Sequence, residues 1–426
     1  MIIEITVSLS EQQNIMRKRS LAMLCPSSEL ELPTSGGPDI RSVSPVARLL
    51  LSLIGVQNQM LREEKMFNRR RLMLAGVGSV AGAVAARTSL AANSIPPGPS
   101  LPPRDWSAAN PTVPYPDANV QVLDPRFKKY IAGTTLLRRV WTGAEWTEGP
   151  VWFGDMHCVI FSDIPNNRLL RYDTMSGDTT EFRSPSNFTN GNTRDRQGRL
   201  VSCEHAARRV TRTEYDGKIT VLTDNYQGKK LNSPNGVVVK SDNSIWFTDP
   251  SYGTAGDHEG HREPSELPHN VYRIDGKTTQ MTVVAADFDQ PNGLCFSPDE
   301  KKLYITDTGR GKDGVSPSLI RVYDVTDDGK LINGTLFHDF SDTKGGLSDD
   351  IRCDEDGNIW SAGGWAPDPM FNGVAVLAPN GDVIGRIVLP ETAANLCFGG
   401  HDHNRLFICA STSLYAVDVN TRGVEL

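Results

Sequence analysis

Six polar residues, Glu148, Asn190, Asn235, Asn292, Asp349 and Asn395, hold the same place in an internal pattern of this chain. Each opens a sixteen-residue segment: EGPVWFGDMHCVIFSD, NGNTRDRQGRLVSCEH, NGVVVKSDNSIWFTDP, NGLCFSPDEKKLYITD, DDIRCDEDGNIWSAGG and NLCFGGHDHNRLFICA. The six align without a gap. Two carboxylates and four amides, with no hydrophobe among them, make an oxygen-only donor set. A hard cation such as calcium takes such oxygens, at about 2.3–2.6 Å. The absence of His and Cys argues against a tetrahedral structural zinc site. Asn-Gly is also a good turn before a strand, which accounts for Asn190, Asn235 and Asn292. It does not account for Glu148, or for a polar residue in all six copies.

The elements that must position this ring follow from the repeat. The copies start 42, 45, 57, 57 and 46 residues apart. Each reads as a short strand, an Asp/Gly/Asn-rich turn and a second strand, and most are followed by a further alternating stretch. That is the mark of a propeller blade, and six copies predict an all-β, six-bladed β-propeller with a central metal site. The segment Leu136 to Thr142, ahead of the first copy, is expected to close the ring as an outer strand of the last blade. First strands line the central channel, so their starting residues form a ring around the axis. Second strands return to the same end. They bring Asp163, His205, Pro250, Asp307, Gly364 and Ala410 to the channel mouth, with Glu204, Asp249, Tyr252 and Trp365 beside them. Ligands under a polar and aromatic rim describe a small-molecule pocket.

Composition agrees. The chain has 426 residues, a formal charge of -7, 38 Gly and 27 Pro, which suits short strands joined by tight turns and offers no basic surface for nucleic acid. Residues 1–65 read as a leader without recognisable chemistry. Residues 66–92 read as an export signal: Arg69-Arg70-Arg71, an apolar middle from Leu72 to Ala86, then Ser89-Leu90-Ala91-Ala92. Arginines before a Gly/Ala-rich middle favour the twin-arginine route. The middle is shorter than the roughly 20 residues of a membrane span, so no stable anchor is expected. The predicted location is periplasmic or secreted, with the twin-arginine translocase as a transient partner. Residues 93–135 read as linker and N-terminal extension, and 136–426 as the propeller domain. Six cysteines follow the signal, none in a Cys-x-x-Cys pair, and are expected to be buried thiols.

The strings EGPVW, LNSPNGVVV…FTDPSYG, QPNGLCFSPDEKKLYITDTG and LSDDIRCDEDGNIW resemble the gluconolactonase/senescence marker protein family, in the right order over about residues 137–420. They are most similar to its bacterial exported gluconolactonases. The resemblance implies metal-dependent hydrolysis of a sugar lactone such as glucono-1,5-lactone or another aldonolactone. It places the metal on Glu148, Asn235, Asn292 and Asp349, with Asp349 also the catalytic residue. Two departures stand out: Gly236 replaces the usual aspartate, and Ser348-Asp349-Asp350-Ile351 replaces Pro-Asp-Gly-Met. Asp349, which the repeat alignment also selects, is preferred over Asp350. Side chains alternate along a strand, so Asp350 is expected to point away from the channel.

The cofactor implied is one divalent cation, calcium first, with zinc, magnesium or manganese as alternatives. It would polarise the ester carbonyl and stabilise the oxyanion. Asp349 would take the proton of the attacking water, with His205 as the variant base. His205, Asp249, Tyr252, Asn190 and Asn395 are assigned to substrate binding. His258-Glu259-Gly260-His261 lacks the spacing of a metal helix and reads as solvated loop. The loop from Thr254 to His269 that contains it is expected to cover part of the pocket. No Gly-x-Ser-x-Gly elbow is present. An organophosphate-hydrolysing propeller with the same metal site and a non-enzymatic calcium- or ligand-binding propeller are the competing functions; a strictosidine-synthase-like propeller would lack the acidic tetrad.

Overall fold

Each of the six repeated segments becomes the inner half of one antiparallel sheet. A computed structural model describes residues 115–309, 318–340, 346–366 and 368–424. The leader, the export signal and the first part of the linker lie outside the described residues.

The innermost strands are Thr147–Phe153, Thr189–Arg194, Val237–Val239, Pro291–Phe296, Leu347–Cys353 and Ala393–Gly399. Each pairs outward with the next strands in sequence, so every sheet is a meander. Successive innermost strands touch, and the last returns to the first, which closes the six-bladed propeller. The sixth sheet takes its outer strand from the other end of the domain. Arg138–Thr142 pairs with Ser413–Asp418, as the sequence predicts.

Second strands are buried on both faces because each sheet is sandwiched between two others. They therefore read as continuous apolar runs, such as Cys158–Phe161 and Ile245–Phe247, and not as alternating ones. The core is divided among the gaps between sheets. Trp152, Phe161 and Phe407 fill the gap between the last and first blades. Phe247 and Tyr272 pack between the second and third blades. The six cysteines after residue 92 are all buried thiols in this packing.

From Tyr115 onward the 93–135 segment is packed on the fifth blade. Val120–Val122 adds a fifth strand beside Val383–Val388. A 3₁₀ turn, Pro125–Tyr130, follows, capped by Asp124, whose side chain accepts from Arg126 N. It buries Phe127 against Trp360, ring centroids 6.1 Å apart. No helix among the described residues is long and apolar enough to cross a membrane.

Candidate metal and active site

Five of the six innermost strands are bulged where the polar ring lies. Pairing with the second strand shifts register between Glu148 and Val151, Thr189 and Asn192, Pro291 and Leu294, Ser348 and Ile351, and Ala393 and Asn395. A bulge re-aims side chains that strict alternation would send elsewhere. The glycine after the ring residue has its own cause, which is not a turn. A Cβ on Gly149 would lie 2.2 Å from Asn190 O, on Gly191 2.1 Å from Asn235 O, and on Gly236 2.6 Å from Asn292 O. Each glycine thus lets the next blade's ring residue come up against its backbone. The fifth blade carries Asp350 at this position.

Glu148, Asn190, Asn235, Asn292, Asp349 and Asn395 are all buried. Asn292 Nδ2 donates to Asp349 Oδ1 at 2.5 Å. Glu148 Oε2 accepts from Gly149 N and from Asn395 Nδ2, each at 2.7 Å. The same Asn395 amide donates to Asp350 Oδ2 at 2.7 Å. Asp350 therefore does not point away from the channel. The bulge at Ser348/Ile351 breaks the alternation on which that expectation rested, and Asp350 joins Glu148 through Asn395. Its Oδ1 pairs with Arg352 at 2.6 Å, both side chains 4% exposed. Asn395 Oδ1 accepts from Leu396 N and Arg352 Nη2. Both ends of this amide are occupied by protein, so the geometry suits it to holding two carboxylates apart and not to gripping substrate.

Burial pushes the Glu148 carboxyl up to about 8, with the Asp350 charge as the next cause. Burial also raises Asp349 well above the usual carboxylate range, and Glu148 and Asp350 add to it. Arg352 pairs with Asp350, while Glu148 and Asp349 have no ion pair of their own among the described residues. No cluster of three His, Cys, Asp or Glu that could hold a metal occurs among those residues. Metal binding here would rest on two carboxylates and amide oxygens. That donor chemistry fits a hard cation, which needs oxygen ligands and negative charge. The Asn292 amide, now presenting nitrogen to Asp349, offers its oxygen after half a turn.

The rim residues fall into two groups. His205 lies one residue past the end of its strand, at the ring end of the channel, and is fully buried. Its Nδ1 lies 3.0 Å from Glu259 O. A carbonyl only accepts, so Nδ1 carries the proton, and Nε2 is left as a bare lone pair. Among the described residues Nε2 has no hydrogen-bond partner. Burial lowers this imidazole to about 4, so it is neutral at pH 7. Tyr252 donates to Thr308 O at 2.9 Å, bridging the third and fourth blades. Asn190 Oδ1 is buried with no partner among the described residues, a group poised to accept a donor. Asp249 is different. It is fully buried within the third blade, where its Oδ2 accepts from Asn232 N at 2.8 Å. Burial raises it to about 8, which keeps it largely neutral below that pH. Its side chain shares a strand face with Ile245 and Phe247, which pack between blades, and that placement suits structure better than substrate contact.

The loop after Tyr252 is not simply solvated. Its carbonyl contact with His205 is accompanied by Phe188 against His261, ring centroids 5.3 Å apart, and by Arg208–Glu263 at 2.6 Å. Glu259, Asp350 and Arg352 are the site neighbours that sequence reasoning missed.

Comparison with known proteins bears on this arrangement. The family model described as the SMP-30/Gluconolactonase/LRE-like region matches residues 146–412. The chain belongs to this family. Among relatives, the gluconolactonase of Zymomonas mobilis is 29% identical over 324 residues, covering 70% of this chain and 85% of that one. A 6-deoxy-6-sulfogluconolactonase of Pseudomonas putida is 26% identical over 268 residues, covering 62% of this chain and 82% of the relative. Among solved structures, a gluconolactonase from Xanthomonas campestris is 32% identical with a TM-score of 0.63, covering 70% of this chain and 94% of that one. The family match spans all six ring positions.

Proposed function

We propose that this chain hydrolyses a sugar lactone, glucono-1,5-lactone or a related aldonolactone, to the aldonic acid. The observation that carries the reading is the pair Glu148 and Asp349, buried at one end of the channel among amides. The names of its relatives, gluconolactonase and sulfogluconolactonase, point the same way.

Glu148, Asn235, Asn292 and Asp349 would hold a divalent cation, calcium first. When bound, such a cation supplies polarisation of the ester carbonyl and charge stabilisation for the developing oxyanion. The chain's own residues do the rest. Asp349, as a carboxylate, holds the attacking water and takes its proton. The ring C–O bond breaks, and the proton passes to the departing oxygen. Asn292, with its amide oxygen turned toward the cation, would leave one Asp349 oxygen for the cation and the other for the water. Asn395 fixes Glu148 against Asp350. The His205 Nε2 lone pair and Asn190 Oδ1 accept from substrate hydroxyls. In the same reading the chain is exported to the periplasm or beyond by the twin-arginine translocase, on the strength of Arg69 to Arg71 and the small-residue segment after them.

The test is a pH-stat screen of several aldonolactones with and without chelator, run on the parent, Asp349→Asn and Glu148→Gln. Asp349→Asn keeps an oxygen ligand and loses the base, so turnover falls by about 10²–10⁴-fold and added metal does not restore it. Glu148→Gln loses ligand charge, so its activity recovers in part at high metal concentration. Phosphotriester turnover without lactone turnover, or metal binding with neither, would refute the reading.

A further inference from the structure

The mechanism gives no task to Trp146 and Trp365. Trp365 follows directly on Gly364, the end of the fifth blade's second strand, and Gly364 pairs with Leu347, two positions before Asp349. Trp146 stands two positions before Glu148, where the chain enters the first blade. Both residues therefore lie at the ring end of the channel. Their rings meet, with centroids 5.2 Å apart and planes tilted by 35°. The first and fifth blades are not neighbours, because the sixth stands between them. Side chains of such alternate blades meet only where the blades converge toward the axis. Asn395 of the sixth blade joins the same two blades further in, donating to Glu148 and to Asp350. Trp365 N donates to Thr392 Oγ1 at 3.4 Å, one residue before the sixth blade's innermost strand. The indole pair thus lies at the mouth, outside the polar ring and on the sixth blade's side.

Two observations set the pair apart from ordinary packing. Trp365 is 53% exposed, although an indole is among the largest apolar groups a fold can bury. Its backbone has φ +62°, in the left-handed region that a bulky residue enters only under strain. A strained backbone that presents an exposed indole adds little to the core, and such strain gathers where ligands are held.

We infer that Trp365, braced by Trp146, is a substrate-positioning residue whose indole stacks on the C–H face of the lactone's sugar ring. This rests on the lactonase reading above and adds an apolar wall to a site otherwise built of carboxylates, amides and an imidazole. A polyhydroxylated six-membered ring carries its hydroxyls around the edge and its C–H bonds on the faces. Polar residues satisfy the edge, whereas a face gains only from an apolar surface. Aromatic walls with a few placed polar groups are the usual make-up of a small-molecule site. The favoured substrate is accordingly a lactone with an unobstructed C–H face.

The experiment measures hydrolysis of glucono-1,5-lactone by pH-stat in the parent, Trp365→Leu and Trp365→Phe. Both variants should fold, because the side chain is exposed. Leucine keeps apolar bulk and removes the flat face, so KM should rise roughly tenfold with little change in kcat, as a loss of uniform binding requires. Phenylalanine keeps a flat ring and should hold KM within about threefold of the parent. Glucono-1,5-lactam, in which a ring N–H replaces the ester oxygen, gives a readout without turnover. Its dissociation constant by calorimetry should follow KM in all three proteins. Values unchanged in Trp365→Leu, or raised equally in Trp365→Leu and Trp365→Phe, overturn the assignment while the lactonase reading stands. So does a loss confined to kcat. So does a smaller oligomer on light scattering with KM unchanged, which would make the pair a contact between copies. If the parent hydrolyses no lactone, the functional reading itself has failed and takes this assignment with it.

Discussion

Asp350→Asn should be among the more destructive single changes at the ring, although plain strand alternation would make it an inert control. Asp350 accepts from Arg352 Nη1 at 2.6 Å, from Ile351 N at 2.7 Å and from Asn395 Nδ2 at 2.7 Å. Asparagine keeps the shape but takes away the carboxylate that Arg352 pairs with, and its amide nitrogen meets donors. Breaking one side of a buried ion pair costs about 3–5 kcal/mol. At about 2–4 °C per kcal/mol for a domain of this order, the melting temperature should fall by roughly 10 °C. The ring also loses a negative charge next to Glu148, so cation affinity should fall and less chelator should be needed to halve activity. Scanning fluorimetry gives the first number and a chelator titration of lactone turnover gives the second. In Asp350→Asn/Arg352→Met both charges are gone, and part of the stability should return, because apolar replacement of a buried pair is often neutral. A melting temperature within about a degree of the parent, or a double variant whose loss equals the sum of the single ones, refutes the argument.

Three further outcomes follow. Asp249 is raised to about 8 in the fold against about 4 unfolded, so its contribution is intact below pH 4 and is lost as pH rises toward 8. Asp249→Asn should accordingly melt higher than the parent at pH 8 but not at pH 4, the stability difference being a few kcal/mol at most; the same difference at both pH values would show that the group is not held neutral. Gly260→Ala must displace the loop from Gly253, because no Cβ fits 2.1 Å from a carbonyl oxygen. It should raise KM for lactones several-fold with little change in thermal stability, and unchanged kinetics would count against a cover. Arg69→Lys/Arg70→Lys/Arg71→Lys should leave the chain in the cytoplasm, and its continued export would remove the twin-arginine assignment.

Much of the site was legible because a repeat reveals geometry that a single motif does not. Six aligned segments placed Glu148 and Asn395 in one ring although they lie 247 positions apart, and the structure joins them by a hydrogen bond. What stayed hidden has physical reasons. Asp350 follows Asp349 in a strand, and only a bulge, which leaves no sequence signature here, turns it inward. Asp249 sits at a strand end near the mouth, but its face belongs to the gap between blades. Glu259 lies in a loop that was expected over the pocket, but the contact of its carbonyl with His205 depends on Gly253 and Gly260, whose close approach no local pattern announces.

The strand that completes the sixth blade comes from the front of the domain, and it makes the whole fold a question of timing. Arg138 meets Asp418 across 280 positions of chain. Joining ends so far apart costs about 5 kcal/mol in loop entropy, beyond a length-independent constant. No pairing within the first five blades recovers that cost, because Ser413–Asp418 follows all of them in the chain. Until Ser413–Asp418 is in place, the outer strand Arg138–Thr142 has no partner, and an unpaired strand edge invites aggregation. A chain cut short before Ser413 would lack the strand that Arg138–Thr142 pairs with, and its ring could not close in this way. Ser413–Asp418 thus acts as a checkpoint on ring closure, read by the fold before any substrate is met.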